Sequence, residues 1–260
     1  MRLALLQFDT IASSPAVNRA TIERLMEGVE CDLVVLPEMF PTGYSTDADA
    51  IAEPADGATL AWMKRWAAEH DAAMAGTVAV KEGRICYNRF YFVTPAGDCF
   101  HYDKRHLFTF AGEEKTFAPG TERIVVEWRG LRFLPLVCYD LRFPVWSYLP
   151  GEVDVVLYSA AWPAGRIGAW DALLPARAIE NQCWVVGVNR TGCDLHGIHH
   201  SGHSAAYDHL GHLVAECGEE PERVVVVEVN AAKIATFRGR FPAWRDADKF
   251  EFVETKKQSL

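Results

Sequence analysis

The chain has 260 residues, half of them hydrophobic and 23% charged, enough to bury one substantial core and ordinary for a globular domain. Its 26 basic side chains face 35 acidic ones, a net −9 with neutral histidines, which argues against a general nucleic-acid binder, whose mark is a basic patch or stripe. No run approaches the roughly 20 apolar residues that span a bilayer, the opening MRLALLQFDT gives no signal-peptide pattern, and seven scattered cysteines without a CxxC pair fit reduced thiols and a cytoplasmic setting.

In chain order, a strand is predicted over Leu3–Phe8 and a helix over Ser14–Glu27, where Ser14-Pro15 offers a cap and a proline at the first helical position. The apolar strand Leu33–Leu36 follows, then a helix over Thr59–Glu69 with Thr59 as its cap. Strands Ala73–Val80 and Ile85–Val93 flank a hairpin-like turn, and Thr94-Pro-Ala-Gly97 reads as another turn. Ile124–Trp128 and Leu131–Val137 form a second hairpin, followed by strand Val153–Tyr158, a helix over Arg166–Asn181, and strands Cys183–Val188 and Val224–Val229. Near-continuous apolar runs such as Leu33–Leu36 and Val153–Tyr158 mark strands covered on both faces. Together these units predict a layered α/β architecture with mixed sheets. No linker or repeat interrupts residues 1–260, which read as one domain, with a charged, aromatic tail from about 238 to 260 wrapping the surface or a neighbouring subunit.

Three segments carry chemistry. The strand Phe133-Leu-Pro-Leu-Val ends abruptly at Cys138, followed by Tyr139-Asp-Leu-Arg142-Phe-Pro144; strand ends are where α/β proteins present reactive groups. A helix starting near Asp140 would set free backbone N–H groups beside the thiol, lower its pKa and hold an oxyanion. Leu33-Val-Val-Leu-Pro37 ends the same way at Glu38, in an apolar setting suited to a general base. In His101-Tyr-Asp-Lys104-Arg-His106-Leu-Phe108 a charge is packed among aromatics, so Lys104 is placed to steady an oxyanion. Taken singly, each has a plain structural alternative: a buried thiol, a solvated glutamate, a solvated basic loop.

Together, LPEMF, YDKRHLF and LVCYDLRFP resemble the Glu, Lys and Cys motifs of the nitrilase superfamily, in its order, and the chain is most similar to the omega-amidase branch. The likeness runs from LLQFD through Thr116-Phe-Ala-Pro-Gly120 and Arg177-Ala-Ile-Glu-Asn181 to Phe241-Pro-Ala-Trp. It implies an α-β-β-α sandwich that forms four layers on dimerisation, a catalytic set of Glu38, Lys104 and Cys138, and a second glutamate at Glu113, with Glu114 beside it as the competing position. Ala161 stands where the family commonly has asparagine.

The resemblance implies hydrolysis of a short carboxylate-bearing amide, such as α-ketoglutaramate or α-ketosuccinamate, without cofactor or metal. The expected partners are the small amide and further copies of the chain, with no nucleic acid or membrane. Arg142 is the candidate carboxylate ligand, the Tyr139 N–H an oxyanion donor, and Tyr44, Phe40 and Trp162 the pocket walls. Other readings are a Cys–His hydrolase using His106, a metal site in Cys193, His196, His199, His200 and His203, a non-catalytic scaffold, or nitrile or N-carbamoyl hydrolysis on the same residues.

Overall fold

In the first strand Leu3 and Leu5 belong to one apolar core and Ala4 and Leu6 to another, because successive residues of a strand point to opposite faces. That alternation sets the layers of the computed structural model, which describes residues 1–252. One sheet takes the order Arg223–Glu228, Arg2–Gln7, Leu33–Val35, Ala73–Glu82, Ile85–Val93, Cys99–Asp103. The other runs Leu213–Glu216, Ala205–Tyr207, Trp184–Asn189, Val155–Ala160, Leu131–Val137, Val126–Trp128. Each has three parallel strands at its centre and antiparallel strands outside them, the mixed sheets expected.

The sheets pack face to face through Leu5, Val35, Phe90, Phe133 and Leu136, among others. The outer face of the first is covered by helices Pro15–Met26 and Ala58–His70, through Ile22, Trp62 and Trp66. Helices Ile167–Asn181 and Ala231–Arg240 cover the second through Trp170, Leu174 and Ile234. This is the α-β-β-α sandwich. The central strands are sealed on both sides, which is why they read as unbroken apolar runs.

Several local expectations change. Thr59 lies inside its helix; Gly57 is the N-cap, and the Thr59 N–H is met by Glu53 Oε2 at 2.9 Å. Ser14 occupies the cap position, but its hydroxyl donates to Ala12 O instead of capping. The expected tail begins too early, because Arg238 is buried within a helix, where its guanidinium meets Asp154 Oδ1 at 2.9 Å and the carbonyls of Gln182 and Val153. Phe252 then packs on Trp146, centroids 5.0 Å apart; residues 253–260 of that expectation lie outside the described residues. Strand Cys99–Asp103 and the hairpin pairing Thr191–Cys193 with His199–Ser201 were not predicted.

At Gly187 helix Ile167–Asn181 lies tight against the sheet. A Cβ there would lie 2.7 Å from Trp170 Cζ2 and 2.8 Å from a Leu174 methyl, with both partners fully buried. Gly187→Ala is therefore expected to cost about 1–3 kcal/mol by overpacking, measured as a lowered urea midpoint at unchanged slope.

Candidate active site

The carboxyl ends of strands from both sheets meet at one point. Glu38 N–H donates to Ala160 O (3.2 Å) and Ser159 Oγ to Leu36 O (2.7 Å), tying the end of Leu33–Val35 to that of Val155–Ala160 across the sandwich. Cys138 directly follows strand Leu131–Val137, at φ +42°, and Met39, next to Glu38, has φ +46°. Left-handed backbone in a residue with a Cβ is strained and persists where the surroundings enforce it. Both turns end their strands sharply and leave Glu38 and Cys138 facing the same cavity.

Lys104 joins them from the end of Cys99–Asp103. Its Nζ lies 2.9 Å from Glu38 Oε1, 2.8 Å from Glu113 Oε2 and 3.1 Å from Glu113 Oε1, with all three side chains buried. Burial alone would lower the Lys104 ammonium, but the Glu113 and Glu38 carboxylates overcome it and hold the pKa well above the usual lysine value. Glu113 also accepts from Phe108 N–H at 2.6 Å, whereas Glu114 is exposed. Of the two neighbouring glutamates, Glu113 is the one brought to Lys104.

Asn88 was not foreseen. A single amide in the run ICYNRFYFV gives no signal in sequence, yet its Nδ2 donates to Glu38 Oε1 (2.8 Å) and Glu113 Oε1 (3.1 Å), bridging the two carboxylates. Glu38 Oε2 accepts from the Ala161 N–H at 2.9 Å. Position 161 thus reaches Glu38 through its backbone, a contact independent of the side chain there.

The expected lowering of the Cys138 pKa is overturned. No long helix begins at Asp140; the chain makes a short 3-10 turn, Cys138–Arg142. Burial, and then the charge of Glu38, push the thiol well above the ordinary cysteine range, with Lys104 pulling the other way. Burial and the Glu38 charge thus favour the thiol form of the sulfur. Tyr139 N–H stands in the first turn, where helical geometry supplies no acceptor.

Asp140 fastens the nucleophile turn to the lysine loop. Fully buried, it accepts from Val137 N–H (2.9 Å), Tyr102 O–H (2.8 Å), His106 N–H (3.0 Å) and His106 Nδ1–H (2.8 Å). His106, stacked on Phe143 at 3.8 Å, is engaged there, away from the cavity lining, so it makes no dyad with Cys138.

The cavity holds about 410 Å³ and is lined by Glu38, Lys104 and Cys138, by Tyr44, Tyr139 and Trp162, and by Arg142. Phe40 is the exception among the predicted walls: it is fully buried in the helix-facing core, 6.1 Å from the Trp62 ring, and does not line the cavity. Phe108, Phe110 and Arg166 line it without having been assigned there from sequence. The histidine-rich segment divides: His196 and His200 line the cavity, His199 and Cys193 are exposed, and His203 pairs with Asp171. Among the described residues no group of three or more His, Cys, Asp or Glu is arranged to hold a metal.

A thiol, a carboxylate and a buried ammonium at the floor of a cleft can together form and resolve an acyl–sulfur bond. The chain belongs to the carbon-nitrogen hydrolase family, the nitrilase superfamily of the resemblance, whose sequence model matches residues 2–239. More narrowly, it is 43% identical over 251 residues to the omega-amidase YafV of Yersinia enterocolitica, a match covering 96% of this chain and 98% of the relative. It is 34% identical to the 2-oxoglutaramate amidase of Bacillus subtilis, over 95% of this chain and 97% of the relative. XC1258 of Xanthomonas campestris, a CN-hydrolase superfamily protein whose crystal structure has an arsenic adduct in its active site, superposes with a TM-score of 0.93 at 43% identity, covering 97% of this chain and 99% of that one.

Lys104→Met leaves Glu38 and Glu113 facing each other without the ammonium, a broken buried ion pair that should cost roughly 3–5 kcal/mol, read by urea unfolding. His200 gives a pH dependence. Burial, then the Arg190 guanidinium, lower it from 6.5 to about 4, so the unfolded chain binds a proton that the folded chain refuses. Stability should fall as pH drops from about 6.5 to 4, and His200→Gln should flatten that limb of a urea-midpoint titration.

Proposed function

We propose that the chain is an omega-amidase that releases ammonia from a short amide with a carboxylate at its far end, α-ketoglutaramate or α-ketosuccinamate being the expected substrates. The observation that carries this is the buried contact of Lys104 with both Glu38 and Glu113 beside the Cys138 thiol, at the floor of a cavity that also holds Arg142. The omega-amidase and 2-oxoglutaramate amidase named among the relatives support the substrate class.

In this mechanism Glu38 takes the Cys138 proton and the thiolate adds to the amide carbon. Lys104 and the Tyr139 N–H receive the oxyanion; the loss of one such donor costs about 2.7–4 kcal/mol. Glu38 returns the proton to the departing nitrogen, ammonia leaves a thioester on Cys138, and a water deprotonated by Glu38 releases the acid. Because burial and Glu38 favour the thiol form of Cys138, the proton transfer to Glu38 precedes or accompanies attack in this mechanism. Glu113 and Asn88 are positioning residues that keep Lys104 and Glu38 in place. Arg142 binds the far carboxylate, with Trp162, Tyr139 and Tyr44 as walls.

The same proposal includes a single domain over residues 1–260, supported by the family match to 2–239, a homodimer, as the family resemblance implies, and a cytoplasmic setting, with which seven cysteines free of disulfides agree. None of the described helices is long and apolar enough to cross a membrane.

Ammonia release from a panel of 2-oxo dicarboxylate monoamides, nitriles and N-carbamoyl compounds tests the reaction. The keto-amides should give the highest kcat/KM, Cys138→Ala should abolish turnover, and Glu38→Gln should reduce it about 10²–10⁴-fold, with the acyl-enzyme seen by mass spectrometry in the parent alone. Preference for nitriles or N-carbamoyl compounds would refute the omega-amidase reading.

A further inference from the structure

Two guanidiniums in the cavity have no acidic partner among the described residues. Several arginines elsewhere are matched to acids, Arg89 with Asp103, Arg132 and Arg238 with Asp154, Arg190 with Asp9, and Arg105 and Arg123, which lie over Trp146 without an acid, spend N–H groups on backbone carbonyls. Arg142 instead lies over the face of Trp162, 4.9 Å from its centroid, and Arg166 over the rings of Phe110 (4.8 Å) and Phe108 (5.4 Å). A guanidinium resting on an aromatic face keeps its N–H fork free for a carboxylate.

The acids lining the cavity are already engaged. Glu38 is held by Lys104, Asn88 and the Ala161 N–H. Asp194 Oδ1 accepts from His196 N–H (2.8 Å) and Ile198 N–H (2.9 Å), closing its own loop. An acidic chain of net charge −9 thus has two guanidiniums without an ion-pair partner among the described residues in one cleft, which Asp194 also lines.

Trp162 ties them to one frame. Its ring face carries Arg142, and its Nε1–H donates to the Arg166 backbone oxygen at 2.9 Å. With the indole buried, Arg166 is fixed at the mouth of helix Ile167–Asn181, on the same cavity as Cys138. An ionised carboxylate offers about four acceptor sites and one bidentate fork fills two of them, so a second fork in the same cleft still has acceptors to meet.

We infer that Arg166 is a second anion-binding residue of the site, acting with Arg142 as a two-guanidinium clamp on the substrate's carboxylate end. This rests on the amide-hydrolysing reading and deepens it: selection among amides lies in a paired clamp on aromatic supports, and Arg166 is the specificity residue that the sequence motifs did not mark.

The test compares the parent with Arg166→Gln and Arg166→Lys on 2-oxoglutaramate, on glutarate monoamide and on neutral butyramide, with thermal melts to establish folding. For Arg166→Gln the preference for the charged amides over butyramide, as a ratio of kcat/KM, should fall about tenfold to a hundredfold, the range for charge-assisted hydrogen bonds. The change should lie mainly in KM, and Arg166→Lys should recover part of it. An unchanged ratio in Arg166→Gln, whether all three amides decline together or none does, overturns the clamp. A parent enzyme that itself prefers butyramide would instead defeat the substrate reading on which the clamp rests, so the two failures are told apart.

Discussion

Lys104 holds its charge almost wholly withdrawn from solvent, and it does so because two carboxylates stand within 3.1 Å of its nitrogen. Removing an ion from water is costly, and only close opposite charges with further hydrogen bonds offset the loss. The surrounding donors follow from this need. Asn88 spans both acids, the Ala161 N–H takes the remaining Glu38 oxygen, and the Phe108 N–H takes Glu113. The cluster fixes where three chain segments end. A thiol placed beside it feels Glu38 and Lys104 at once.

That environment also decides which activation the sulfur can use. A cysteine at the head of a long helix would rest as thiolate. Cys138 sits in a short turn with a carboxylate for neighbour, so its proton stays until a base takes it.

Cys138 and Glu38 stood out because each ends an apolar strand abruptly, and Lys104 because its charge sits among aromatics. Each alone had a plain structural alternative, and only the resemblance of the three motifs to one family joined them into a set. The buried strands were legible because, sealed on both faces, they are continuously apolar. What escaped depends on partners distant in sequence. Asn88 is one polar letter in a hydrophobic strand, and its meaning lies in Glu38 and Glu113. Phe40 was expected among the pocket walls, but beyond the turn at Met39 it lies in the helix-facing core. Position 161 was weighed by its side chain, while the contact it makes is by backbone. Helix Ala231–Arg240 was hidden because its apolar face is reduced to Ile234 and a buried arginine.

The sulfur and the acid belong to different sheets. Cys138 closes a strand of one and Glu38 a strand of the other, so the gap between them is set by the thickness of the sandwich. Packed sheets keep about 10 Å between them, determined by the size of the side chains they enclose. Phe90, Phe133 and Leu136, which lie outside the cavity lining, are in that sense the gauge blocks between the two side chains. Swelling or thinning that filling would retune the chemistry without altering any residue that performs it.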